Sequence, residues 1–188
     1  MNLKEILRYL GYGQNEPDEA TLALINECYE ELLGAASPKY IAQRVNISHK
    51  DGKICFLNYS IPSTKLAINL AGCKEAYIFG ATLGNTTDML MNKYVKLNIS
   101  KSAVLQACGA AMIEAYIDEC EKELSGKLQE GQSLRPRFSP GFSDFTLEYQ
   151  KLFMDVLRLD KTIGIHLTDG GIMLPEKSVT AIIGIIEE

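Results

Sequence analysis

The chain has no tryptophan and only two histidines among its 188 residues, and that scarcity removes several chemistries at once. His49 stands beside the Asp51-Gly52 pair and His166 alternates with Ile165 and Leu167. So placed, the two histidines neither share a metal-ligand spacing nor complete a Ser-His-Asp arrangement. The five cysteines, Cys28, Cys55, Cys73, Cys108 and Cys120, are odd in number, scattered and never spaced Cys-x-x-Cys. They suggest neither a disulfide framework nor a zinc motif, and read as small buried hydrophobes. No apolar run reaches the roughly 18 to 20 residues of a membrane span, and Met1-Asn2-Leu3-Lys4-Glu5 lacks the basic-then-apolar layout of a signal peptide. The expected location is the cytoplasm, with no membrane partner. Lys and Arg number 19 against 24 Asp and Glu, for a net charge of -5. With no clustered basic face the chain offers nucleic acid no phosphate-binding surface. A protein or a small molecule is the expected partner, and neither a metal nor a catalytic side chain is expected.

What is present is an apolar fraction of 46%, enough for a sizeable core. The expectation is one domain over residues 1–188, with 1–40 a helical N-terminal portion. Leu22, Ile25, Cys28, Tyr29, Leu32 and Leu33 form a 3.6-residue stripe that predicts a helix from about Pro17 to Leu33, stopped by Gly34. Ala42 to Tyr59 alternates on both sides of Lys50-Asp51-Gly52-Lys53, the signature of a tight hairpin. A short helix near Ser63 to Ala71 and a strand near Glu75 to Phe79 follow. The longest helix is predicted from Lys101 to Leu124 with Ser100 as N-cap, another from about Thr146 to Leu159, and two closing strands near 163–168 and 177–186. Without regular β-α-β repeats, this order predicts an α+β fold: a mainly antiparallel twisted sheet flanked by helices.

Three places carry candidate chemistry. Gly80-Ala81-Thr82-Leu83-Gly84 leads into a helix, where glycines either turn the chain tightly or cradle an anion; neither the P-loop nor the dinucleotide glycine pattern is present. On the long helix Ala107, Ala110, Ala111 and Glu114 share a face, a groove of small side chains running up to one carboxylate. The following acids, Asp118, Glu119, Glu121 and Glu123, look like a solvated end. The third is Arg137-Phe138-Ser139-Pro140-Gly141-Phe142. Its guanidinium presents a rigid fork to a carboxylate beside a tight Pro-Gly turn, serving either a ligand or a structural ion pair to one of the chain's acids. Arg135 competes for the role but lacks the three-residue spacing to Pro140.

The Arg-x-x-Pro-Gly-aromatic turn, followed by Leu167-Thr168-Asp169 and then Met173-x-Pro175 before Lys177-Ser178-Val179, resembles the activation domain of cobalamin-dependent methionine synthase. The resemblance is strongest over the last fifty residues. It implies the activation-domain fold, here in free-standing form, and a site for S-adenosylmethionine, the methyl donor that rescues oxidised cobalamin. Carried over residue by residue, the ligand would meet Glu114, Arg137, Ser139, Pro140, Gly141, Phe142, Thr168 and Asp169. The pattern Asp-x-His-x-x-Gly, by which such proteins supply histidine to cobalt, is missing, so cobalamin would sit only on a partner. The implied partners are a cobalamin-binding methionine synthase chain and a flavodoxin-like or ferredoxin-like electron donor, and the chain would be an accessory component rather than a self-sufficient enzyme. Two departures stand against the family pattern. Gly170-Gly171 replaces a Ser-aromatic step and removes one aromatic wall of the site, and the sequence reaches Glu188 soon after Val179-Thr180-Ala181 where the family's domain continues through another strand and helix. They favour an alternative, a docking module for a corrinoid or methyltransferase protein that no longer binds S-adenosylmethionine.

Overall fold

A computed structural model describes residues 1–187. The chain opens with helices α1 (Leu3–Tyr9) and α2 (Glu19–Ala35), the latter capped by Asp18, whose carboxylate accepts the Thr21 amide at 2.7 Å. Strands β1 (Lys39–Asn46), β2 (Ser48–Lys50), β3 (Lys53–Phe56) and β4 (Tyr59–Ile61) follow, then α3 (Thr64–Asn69), β5 (Glu75–Thr82), α4 (Asn85–Val95) and the long α5 (Ile99–Ser125). The last third contributes β6 (Gln132–Leu134), a 3-10 turn at Leu147–Tyr149, α6 (Gln150–Leu157), α7 (Leu159–Thr162), the short pair β7 (His166–Leu167) and β8 (Met173–Leu174), and finally β9 (Ser178–Glu187).

The main sheet runs β1-β5-β9-β6 and is antiparallel throughout, so the expected α+β architecture of an antiparallel sheet flanked by helices is what forms. Because side chains alternate across a strand, the sheet divides the core in two. Tyr77, Phe79 and Ala81 of β5, with Ala181, Ile183 and Ile185 of β9, pack against α1, α2, α4 and α5. Ala76, Ile78 and Ile182 face the other way, onto α3, the small sheet, α6 and α7. Strands buried on both faces read as continuous apolar runs, which is why β5 and β9 are so rich in Ile, Phe and Ala.

Several expectations shift in detail. The predicted hairpin is there, with Asp51 and Gly52 at φ 49 and 73, but it joins β2 to β3; β1 leaves it to pair with β5 from Lys39↔Thr82 to Asn46↔Glu75. Alternation marks a two-faced strand without naming its neighbour. Asn98, not Ser100, caps α5, its Oδ1 accepting the Lys101 amide at 3.0 Å. The single helix expected over 146–159 is broken at Arg158, which adopts φ 50 and starts α7 in a new direction. Between the two expected closing strands an additional short strand intervenes, so that Gly170-Gly171 closes the β7–β8 pair.

Candidate functional site

After β6 the chain continues along the sheet edge: Arg135 N–H donates to Gly184 O at 2.8 Å, and Phe138 exchanges both backbone hydrogen bonds with Ile182 at 2.9 Å. This extended edge makes the side chains alternate. Phe138 turns into the second core, stacked at 6.1 Å on the buried Phe145, while Arg137 turns to the opposite face and lies over α5.

There Arg137 is met by three carboxylates spaced one and two turns apart on one helix face. Its Nη2 donates to Glu114 Oε2 at 2.6 Å; its Nη1 donates to Asp118 Oδ1 and to Glu121 Oε1, both at 3.0 Å. Burial alone would lower the affinity of this half-buried guanidinium for its proton, but the hydrogen bonds and charges of Glu121, Glu114 and Asp118 outweigh it and raise its pKa further above the ordinary range. Of the two open alternatives for Arg137, a structural ion pair is therefore present, and Glu114, the other predicted ligand contact, is its partner. Of the acids expected at a solvated end, Asp118 is exposed and still reaches the cluster, while Glu121 is drawn into it and partly buried. Their i+4 and i+7 spacing from Glu114 was the signal available in the sequence. Arg135 points elsewhere, its Nη2 donating to Ala71 O at 3.3 Å.

The Ser139-Pro140-Gly141-Phe142 turn folds back on itself. Phe142 N–H donates to Ser139 O at 3.2 Å, Gly141 N–H to Phe145 O at 2.6 Å, and Gly141 sits at φ 92, a region that suits glycine. A Cβ on Gly141 would stand 2.8 Å from Leu147 Cδ2. Phe142 is 67% exposed, its ring meeting Phe138 edge-on at 5.5 Å and otherwise open to solvent.

Thr168 and Asp169 lie on the α6 side of the sheet. Thr168 Oγ1 accepts the Ile172 amide at 3.1 Å and shapes the Gly170-Gly171 turn. Both residues line an open cleft of about 660 Å³ with Lys151, Met154, Asp155, Asp160, His166 and Leu167. A smaller cavity of about 160 Å³ adjoins it through shared Lys151, Leu167 and Asp169, and is completed by Leu147, Glu148, Gly170 and Gly171. The predicted residues thus fall into two groups, Arg137 with Glu114 over α5 and Thr168 with Asp169 beside α6. The Gly141 turn borders the second group, since a Cβ on Gly141 would meet Leu147, which lines the smaller cavity.

The Gly80–Gly84 segment serves packing. Gly84 is the N-cap of α4 at φ 90, and a Cβ there would meet Ser37 O at 3.1 Å. What approaches the small-residue face of α5 is the sheet itself, which buries Ala107 and Ala111, and the stem of Lys177, whose Cε lies 3.0 Å from a Cβ position on Gly109. Among the described residues no group of three or more His, Cys, Asp or Glu is arranged to hold a metal ion, and no helix is long and apolar enough to cross a membrane.

No protein-family model matches this chain, and no curated protein matches its sequence. Its fold does have a counterpart. The crystal structure of the MetH reactivation domain bound to AdoHcy superposes on it with a TM-score of 0.67, over 94% of this chain and 69% of that one. At 12% identity the likeness is one of fold: an antiparallel sheet flanked by helices, arranged as in the MetH reactivation domain.

Proposed function

We propose that this protein is a free-standing reactivation subunit that positions S-adenosylmethionine for reductive methylation of cobalamin held by a methionine synthase chain. The observation that carries the reading is the convergence of fold and motif. This chain shares the fold of a reactivation domain crystallised with AdoHcy, and Arg137, paired with Glu114, shortly precedes in sequence the Ser139–Phe142 turn at which the resemblance implies the ligand's amino-acid end.

Arg137 has five N–H donors, and the three hydrogen bonds to acids leave two for a ligand carboxylate. Glu114 would face the ligand's ammonium. Backbone groups of Ser139 to Phe142 would border the next part of the ligand, which would have to pass the sheet edge to meet Thr168 and Asp169 on the α6 side. Cobalamin, on the partner, supplies the nucleophile once an outside donor has reduced it. The sulfonium methyl is already activated, so no acid or base is asked of this chain; orientation and exclusion of water would carry the effect.

The experiment is reconstitution in trans with a cobalamin-loaded methionine synthase lacking its reactivation domain. Turnover is expected to return only when this protein, S-adenosylmethionine and a low-potential reductant are all present. Because the two chains are not linked, it should saturate with added protein. Recovery that proceeds equally well without S-adenosylmethionine would defeat the reading.

A second reading, a docking module that does not bind S-adenosylmethionine, is favoured by the engagement of Arg137 with three acids and by the glycine pair where the family carries an aromatic wall. Calorimetry with S-adenosylmethionine separates the two.

A further inference from the structure

We propose that this chain associates with itself head to tail, the turn that joins α4 to α5 in one copy seating in an apolar hollow between α2 and α5 of the next. Neither feature contains a residue of the ligand site proposed above. The two are complementary: the turn is apolar and basic, the hollow apolar and rimmed by acids.

The turn carries Met89, Val95, Leu97 and Ile99, all more than half exposed, with Leu97 at 70% and Ile99 at 80%. Exposed apolar side chains scattered singly are ordinary, but four within eleven positions make a patch that calls for a partner. The patch is held in shape. Leu97 and Asn98 N–H both donate to Tyr94 O, at 3.2 and 2.9 Å, and the Lys101 ammonium, fixed at 2.6 Å by Glu27 and by Glu31, stands 4.4 Å from the Tyr94 ring centroid. Little ordering is therefore lost on docking. Lys93 and Lys96 flank the patch, no acid lies from Met89 to Ser100, and neither lysine has an ion-pair partner among the described residues.

The hollow, of about 200 Å³, is lined by Leu33, Leu83, Met112, Ala115 and Tyr116, with Glu119 as its carboxylate. Glu30 stands three residues before Leu33 on α2, on the same helix face, and is exposed. Small-molecule sites occupy roughly 300 to 1,000 Å³, so a hollow of this size suits one or two aliphatic side chains of a partner instead. A copy cannot fill its own hollow, because Ile99 and Tyr116 lie on one helix about 25 Å apart at 1.5 Å per residue. A second copy brings what the hollow lacks: exposed aliphatic side chains set between unpaired lysines. Turn and hollow are different patches, so each copy offers one of each and the contact is heterologous.

The test is sedimentation velocity on the full chain over a concentration series, at low and at high salt. Wild-type protein is expected to associate reversibly with a Kd of about 10 to 100 µM, the scale of a small transient interface, and more weakly as salt is added. Leu97→Gln/Ile99→Gln, Lys93→Glu/Lys96→Glu and Glu30→Lys/Glu119→Lys each replace only exposed side chains, so Tm should hold. Each should weaken association by about tenfold or more. Mixing the last two variants should restore it, because the native lysine turn of one then meets the native acidic hollow of the other. A wild-type chain that stays monomeric throughout would overturn the proposal, as would association that survives all three double variants or a mixture that fails to recover it. Capture of the monomer by vesicles containing anionic lipid, lost in Lys93→Glu/Lys96→Glu, would also overturn it and assign the turn to a membrane surface.

Discussion

Asp144 Oδ1 accepts a hydrogen bond from Ser63 Oγ at 2.6 Å across 81 residues of sequence, while its Oδ2 accepts the Thr64 amide at 2.7 Å. The aspartate that follows the Arg137 turn is thus also a cap for α3, working beside Ser63, which accepts the Leu66 amide at 3.0 Å. These donors, Ser63 first, hold the Asp144 carboxyl below its ordinary 3.8. A carboxylate depressed on folding stabilises the fold above its unfolded value and loses that contribution as pH falls through its folded value. Asp144→Ala should therefore lower Tm at neutral pH, and the gap from wild type should close as the solution is acidified below 3.8. Thermal melts across that range check it.

Arg137→Ala should act on two observables. Removing the guanidinium leaves Glu114, Asp118 and Glu121 facing one another, at a cost of about 1 to 3 kcal/mol in stability, and salt should recover part of it by screening. Binding of S-adenosylmethionine should weaken by a further 2 kcal/mol or about thirtyfold. Denaturant unfolding at two salt concentrations and calorimetry measure the two effects. Arg135→Ala is the control and should leave ligand binding unchanged.

Gly141→Ala forces a Cβ onto a residue at φ 92 and toward Leu147. The expected loss is about 1 to 2 kcal/mol. Combining it with Leu147→Ala removes the contact but not the backbone strain, so a residual cost in the double variant, measured against Leu147→Ala alone, reports the turn itself.

Asp88 is buried in the first turns of α4, its Oδ2 accepting the Glu176 amide at 2.7 Å while Oδ1 has no hydrogen-bond partner among the described residues. Burial lifts its carboxyl above 3.8. For a raised carboxyl the folded state holds the proton more tightly, so a penalty absent at low pH appears as pH rises past 3.8 and is complete above the folded value. Asp88→Asn, which keeps an acceptor for Glu176, should gain stability relative to wild type as pH rises. Asp88→Ala, which loses that acceptor, should be less stable than the asparagine variant throughout.

Much of the fold could be read from periodicity, because helices such as α2 and α5 announce themselves by a repeated apolar face and strands such as β5 and β9 by unbroken apolar runs. Partnership was harder. Nothing local in Ala42 to Asn46 says that these residues pair with β5 rather than across the nearby turn, since the register of β1 is set by distant partners, from Ala42↔Phe79 to Asn46↔Glu75. The break at Arg158 was hidden for the same reason: the residues around it favour helix, and the left-handed step is imposed by packing of α6 and α7 on the sheet. At the candidate site the motif located Arg137 and its turn. What it could not convey was that an edge strand would point Arg137 at α5 while Phe138 went to the other core, placing Asp118 and Glu121 within reach.

The pairing of β5 with β9 also sets an order of events during synthesis. Ser178 Oγ and Thr82 Oγ1 share a hydrogen bond at 2.8 Å across 96 residues, at one end of a ladder that runs to Glu75↔Ile185. While those residues are still on the ribosome, β5 can pair with β1 on one side only, and its other edge, carrying Tyr77, Ile78 and Phe79, stays open. Until the ninth strand arrives the nascent chain presents an apolar strand edge of the kind that chaperones shield and that neighbouring chains on a polysome would otherwise share.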